Sequence, residues 1–178
     1  PHDRASKIAW VPRVAEVAGT FTIRRVVELG RYALGPLTQR VEEALELVDL
    51  MDRSESMWYA ASAGMKQRTA IARALAQRTP GGMLVLDEPT SALDLRHLRM
   101  MGELLRRCAD DGDIVVASMH DIAFAMEIAD EVLVLKDGDL VLAGETQAVL
   151  TPSSLADVFG VDLAWAMDEA GKRHLVIP

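Results

Sequence analysis

Met83-Leu84-Val85-Leu86-Asp87-Glu88-Pro89-Thr90-Ser91-Ala92-Leu93-Asp94 is the stretch that decides the fold. Gly81-Gly82 precedes its apolar run and two carboxylates and a proline follow it, so Met83 to Leu86 reads as a buried parallel strand. A helix is expected before it, from about Gly64 to Gln77, and another after it, from about Leu95 to Arg107. The pattern then repeats: Ile114 to Ser118 forms a second buried run, ends in Met119-His120-Asp121 and leads into a further helix. Two buried strands that end in polar residues, with helices between them, describe an open α/β sheet whose site lies at the strands' C-terminal edge.

Working outward, Lys7 to Val11 is a short extended run stopped by Pro12. Thr22 can cap a helix through about Ala33, which the Gly35-Pro36 pair ends. Val41, Ala44, Leu45, Val48 and Met51 fall on one face of a second helix, so the segment up to about Ala61 reads as largely helical. Beyond the sheet, Glu131 to Lys136 and Asp139 to Ala143 flank Asp137-Gly138, the residue pair that suits a type I′ hairpin turn. Thr151-Pro152 starts a short helix that Gly160 can end, and Leu163 to Ile177, around Glu169-Ala170-Gly171, suggests a final hairpin.

Of 178 residues, half are hydrophobic, enough for one packed domain. A net charge of -8 leaves no basic stripe for phosphate backbones, which argues against a nucleic-acid partner. The single cysteine, Cys108, excludes an internal disulfide and a thiolate cluster and reads as a small packed thiol. No run reaches the ~18 apolar residues a bilayer span needs, and no basic-then-apolar leader opens the chain. No direct membrane insertion is expected, so any membrane role must pass through a partner. Trp58-Tyr59 reads as packing within the helical segment, with a docking face as the alternative. The nine methionines read as core filler.

The candidate chemistry gathers at the sheet edge. Adjacent carboxylates where an apolar strand ends are costly unless something cationic or protic is bound. In a nucleotide hydrolase the first can hold Mg²⁺ and the second can orient water. Asp94 stands where it can N-cap the next helix. Ser62-Ala63-Gly64 precedes a helix whose first-turn N–H groups could meet a phosphate, although in isolation Ser62 reads more readily as a plain cap. His120 ends the second strand, where histidines are more often packed or solvent-edge residues than ligands.

The joint order resembles the ATP-binding cassette (ABC) ATPases. Met83 to Asp94 is similar to that family's Walker B strand and D-loop. Ser62-Ala63-Gly64-Met65-Lys66-Gln67-Arg68 with Ala72-Arg73-Ala74-Leu75 resembles its signature helix, and His120 matches its switch histidine. The resemblance implies a P-loop NTPase (RecA-like) α/β core lacking its first strands. It divides the chain into a core remnant with the Q-loop region (1–16), a helical subdomain up to the signature (17–65) and an α/β core with the C-terminal hairpin (66–178). It also implies ATP and Mg²⁺ as cofactors, with Asp87 serving the metal, Glu88 the hydrolytic water and His120 the γ-phosphate. Ser62, Ala63 and Gly64 would contact ATP held by a second ATP-binding subunit, in a homodimer, and Asp94 would lie at that interface. The tail, with Thr151-Pro152 and Val158-Phe159-Gly160-Val161, is similar to subunits that energise uptake of ferric siderophores, haem or cobalamin. Such a subunit sits in the cytoplasm, on the inner face of the membrane, bound to permease subunits.

Departures from the family pattern leave rivals open. No G-x-x-x-x-G-K-[ST] loop occurs in the sequence, and the resemblance places that loop upstream of Pro1. An upstream segment outside this chain and an inactive remnant are the two readings. Arg13 stands where the family usually has glutamine; it cannot ligate Mg²⁺ but could pair with a phosphate. Ala61, Ala63 and Met65 depart from the usual signature. The alternatives are a non-enzymatic cassette that dimerises with an active partner, and an ABC ATPase without a transporter.

Overall fold

The computed structural model describes residues 7–169, 171 and 173–178. The chain divides into two units between His120 and Asp121.

In the first unit, β1 (Ile8–Val11), β2 (Met83–Asp87) and β3 (Ile114–Ser118) form a parallel sheet in that spatial order. Val11 pairs with Leu86 and Leu86 with Ala117, so all three strands run out at one edge. The chain segments that follow them carry the candidate chemistry, as expected of an α/β sheet. Alternation puts Ala9, Val11, Leu84 and Leu86 on the buried face. The opposite face differs from expectation: Ile114 is 59% and Val116 49% exposed, with Ile8 and Trp10 exposed beside them. Ile114 to Ser118 is thus a parallel strand but not a buried one. It is an edge strand, and its alternate residues face a side of the sheet that the described residues leave open.

Four helices accompany this sheet. α1 (Ile23–Glu28) starts at Thr22, whose hydroxyl accepts from Arg25 N–H at 3.2 Å. The single helix expected through Ala33 instead gives way to a 3₁₀ turn, Leu29–Arg31. Gly30, inside that turn, lies against α3, where an added Cβ would run into the backbone carbonyl of Arg73. α2 (Thr38–Leu47) buries Val41, Ala44 and Leu45. Val48, its C-cap, is buried as well, whereas Met51 lies in a separate 3₁₀ turn, so four of the five residues of the predicted face are buried. α3 (Ala63–Gln77) packs against α1, α2 and β1, and α4 (Leu95–Asp110) against β3. Met101, Leu104, Leu105 and Cys108 form the buried stripe of α4 at helical spacing. Cys108 is fully buried, and desolvation raises its thiol pKa.

An ionic staple sets the strand starts. Buried Asp113, just before β3, accepts from Gly81 N–H at 2.9 Å and pairs with Arg78, which also reaches Asp111 at 2.8 Å. The turns entering β2 and β3 are thereby tied to each other. Of the nine methionines, Met101 is fully buried, Met167 is exposed and the rest are half-buried. Trp58 is buried, as the packing reading expects, and Tyr59 is exposed.

The second unit contains α5 (Ile122–Ile128), the antiparallel hairpin β4 (Glu131–Lys136) and β5 (Asp139–Glu145), α6 (Thr146–Val149), α7 (Pro152–Phe159), and the hairpin β6 (Ala164–Met167) and β7 (Arg173–Val176). Asp137 and Gly138 both have positive φ, 54° and 91°, as a type I′ turn requires. A reciprocal capping box between Thr151 and Ser154 opens α7, and Gly160 closes it at φ 68°. Ala170, part of the expected last turn, lies outside the described residues. No helix among the described residues is long and apolar enough to cross a membrane.

Candidate functional site

Asp87 is the last residue of β2 and lies in register beside Ser118, the last of β3. Glu88 then turns the chain out of the sheet with φ 45°, a left-handed conformation that few residues other than glycine adopt. One hydroxyl spans both carboxylate residues: Ser118 Oγ donates to Asp87 Oδ1 at 2.7 Å and accepts from Glu88 N–H at 3.0 Å.

The Glu88 carboxylate is held at both oxygens. His120 Nε2 lies 2.7 Å from Oε1 and Arg13 Nε 3.0 Å from Oε2. The Glu88 side chain is only 13% exposed while those of Arg13 and His120 are 62% and 83% exposed. A shielded anion thus sits beneath two groups that reach toward solvent. The structure brings Arg13, Asp87, Glu88 and His120 together from three strand ends, and Arg13, expected to meet a phosphate, here pairs with Glu88.

The second group of candidates lies at the start of α3 and along the turn after β2. Ser62 caps α3, its Oγ accepting from Met65 N–H at 3.2 Å and its carbonyl from Lys66 N–H at 2.9 Å. That leaves Ala63 and Gly64 as first-turn N–H donors. Gly64 packs tightly: a Cβ would come within 2.9 Å of the Ala92 carbonyl, so the start of α3 abuts the Pro89–Asp94 turn. Asp94 caps α4, accepting from His97 N–H at 2.9 Å with His97 Nδ1 at 2.8 Å. The backbone bond from His97 is the main reason its carboxyl is held below the ordinary 3.8, with the His97 ring second. Among the described residues no hydrogen bond or ion pair joins Ser62, Ala63, Gly64 or Asp94 to Asp87, Glu88 or His120.

A family model described as ABC transporter matches residues 2–91, which includes both the start of α3 and the carboxylate pair. A hemin import ATP-binding protein of Rhodopseudomonas palustris is 36% identical over 181 residues, spanning 96% of this chain and 68% of that protein.

The chain belongs to the ABC transporter family.

A cobalamin import ATP-binding protein of Halobacterium salinarum is 39% identical to this ABC chain over 182 residues, covering 97% of it but 44% of the relative. Among solved structures, one described as an inward-facing conformation of a metal-chelate type ABC transporter superposes with TM-score 0.81 at 26% identity, over 96% of this chain and 72% of that one. A dimeric ATP-binding cassette bound to ADP and Pi superposes with TM-score 0.74 at 29% identity, over 82% and 65%. The fold expected from the sequence, a P-loop NTPase core with a helical part, is the fold of these ABC cassettes.

Three participants in this ABC chain were not singled out from sequence. Ser118 bridges the two carboxylate residues, and His97 and Asp49 flank Asp94 and α4. Asp49, at φ 56° after α2, pairs with Arg96 at 3.1 Å, and its carbonyl accepts from Arg68 at 2.8 Å. A polar residue closing an apolar strand was the one legible sign of Ser118; nothing local marks Asp49.

Proposed function

We propose that this chain is the ATP-hydrolysing part of an ABC importer subunit, with Glu88 as the residue that orients the attacking water. The observation that carries the reading is the shielded Glu88 carboxylate, fixed at a strand end beside Asp87 and within hydrogen-bond reach of His120.

Oxygen donors suit Mg²⁺. The described residues hold no cluster of three or more His, Cys, Asp or Glu able to form a protein cage for a metal. A Mg²⁺ site of the proposed kind needs only one or two carboxylates, completed by phosphate oxygens and water. Asp87 would hold the ion, commonly through water. When bound, Mg²⁺ would neutralise charge on the phosphate oxygens. Glu88 would orient and polarise water, and His120, by its reach from the end of β3, would hydrogen-bond the γ-phosphate or pass its contact to Glu88. Arg13 would offer a guanidinium to a phosphate as it exchanges partners. Ser62, Ala63 and Gly64, at the head of α3, would receive ATP held by a second subunit, with Asp94 at the same interface.

Residues 17–65 form the helical subdomain in this reading, with 1–16 and 66–178 belonging to the core. The partners are a second ATP-binding subunit, as a homodimer, and permease subunits that hold the protein at the cytoplasmic face of the membrane. The cargo class is an iron chelate, haem or cobalamin, supported by the import proteins among the relatives.

Glu88→Gln in the native protein should abolish ATP turnover while leaving ATP binding intact, checked by phosphate release and by equilibrium binding of labelled ATP. Turnover at the wild-type rate would reject Glu88. The Arg13–Glu88 pair and Ala63 favour one further reading, a non-hydrolysing cassette that supports an active partner. A wild-type protein that binds ATP without turnover would establish it.

A further inference from the structure

The sheet register sets Ser118 directly opposite Asp87, and the strand ends there. Beyond that point Glu88 takes φ 45°, so its N–H turns away from the regular ladder and needs another acceptor. Ser118 Oγ supplies it at 3.0 Å and passes its own proton toward Asp87 Oδ1 at 2.7 Å. A hydroxyl is one donor and an acceptor, so a single atom can do both. Alanine would leave Glu88 N–H without this acceptor and free the Asp87 carboxylate to rotate. Neither the carboxylate pair nor His120 replaces that bond, because His120 meets Glu88 at the far end of its side chain.

We propose that Ser118 is a positioning residue for the hydrolytic site: one hydroxyl fixes the rotation of the Asp87 carboxylate and the left-handed backbone of Glu88 at once. This rests on the assignment of Asp87 to the metal and Glu88 to water. The two members of the pair are adjacent in sequence, so an error in the turn between them misplaces both. Displacements of about 1 Å at such a site can lower turnover by about 100-fold. Threonine keeps the hydroxyl and suits a strand, so it separates the hydrogen bonds from mere filling of space.

The test compares Ser118→Ala and Ser118→Thr in the native protein with its partner subunits, reading kcat, KM and the Mg²⁺ dependence of turnover. Amide exchange at Glu88 and direct Mn²⁺ binding by electron paramagnetic resonance are followed in parallel. The expected result for alanine is lost protection of the Glu88 amide, weaker Mn²⁺ binding and kcat lowered about 10- to 100-fold, while threonine restores all three to within about threefold. Alanine that loses Glu88 protection yet keeps kcat and metal binding within about twofold would overturn the proposal. So would a threonine variant that keeps that protection yet falls as far in kcat as alanine. If alanine does not fold, threonine together with Ser118→Cys, which retains a weaker donor, gives the same comparison. A wild-type protein without turnover would reject the hydrolytic reading, and Glu88 amide protection with Mn²⁺ binding would still decide for or against the Ser118 pin.

Discussion

Asp94 shows how one side chain serves a helix and, in the proposed assembly, an interface. Its carboxylate accepts the His97 backbone N–H, and this bond is the first cause of its depressed pKa. A carboxyl held below its ordinary 3.8 stabilises the folded state fully above that value, and the stabilisation is lost as pH falls through the folded pKa. The N-terminus of α4 should therefore loosen in acid, read from the His97 amide shift followed from about pH 5 down to about pH 2. Asp94→Asn, which caps without titrating, should flatten that curve; an unchanged curve would mean another group controls it. Asp94 as a cap, Thr22 as a cap and Gly160 as a stop were all legible in the sequence because each acts within three or four residues. The Arg13–Glu88 pair was not, since it joins residues on two different strand ends and no local pattern encodes their approach.

At the scale of elements, Gly30 sets how closely the turn after α1 approaches α3. Its missing side chain lets the 3₁₀ turn lie on the backbone of α3 at Arg73. Gly30→Ala should push these segments apart and cost about 2 kcal/mol of stability, within the range for overpacking, measured as a shift of the urea midpoint. Loss of no more than a few tenths would show that the helices can part cheaply. The helical pattern runs unbroken through that region in the sequence, because a glycine needed for close approach looks the same as a tolerated one. The hairpin at Asp137-Gly138 was readable because its turn requires positive φ at both residues, a demand few dipeptides meet. β3 was half readable: its apolar run gave strand and direction, but burial depends on what covers each face, which is not a property of the run.

Across the whole molecule, the sheet carries Ile8, Trp10, Ile114 and Val116 on an open face. Contiguous exposed apolar surface attracts apolar partners. The 178-residue chain should bind an apolar-surface dye, and Ile114→Thr with Val116→Thr should lower that signal without changing far-UV circular dichroism. An unaltered signal would locate the dye elsewhere. The parallel order of the strands has a further consequence during synthesis. Asp87 leaves the ribosome 31 residues before Ser118, and Glu88 32 residues before His120. A growing chain thus exposes its acidic pair before either partner from the third strand exists, and domains fold as units while synthesis proceeds. In the proposed reading, chain order thus delays the site until β3 and His120 have emerged, and a prematurely released fragment ending before β3 would carry the carboxylates without either partner.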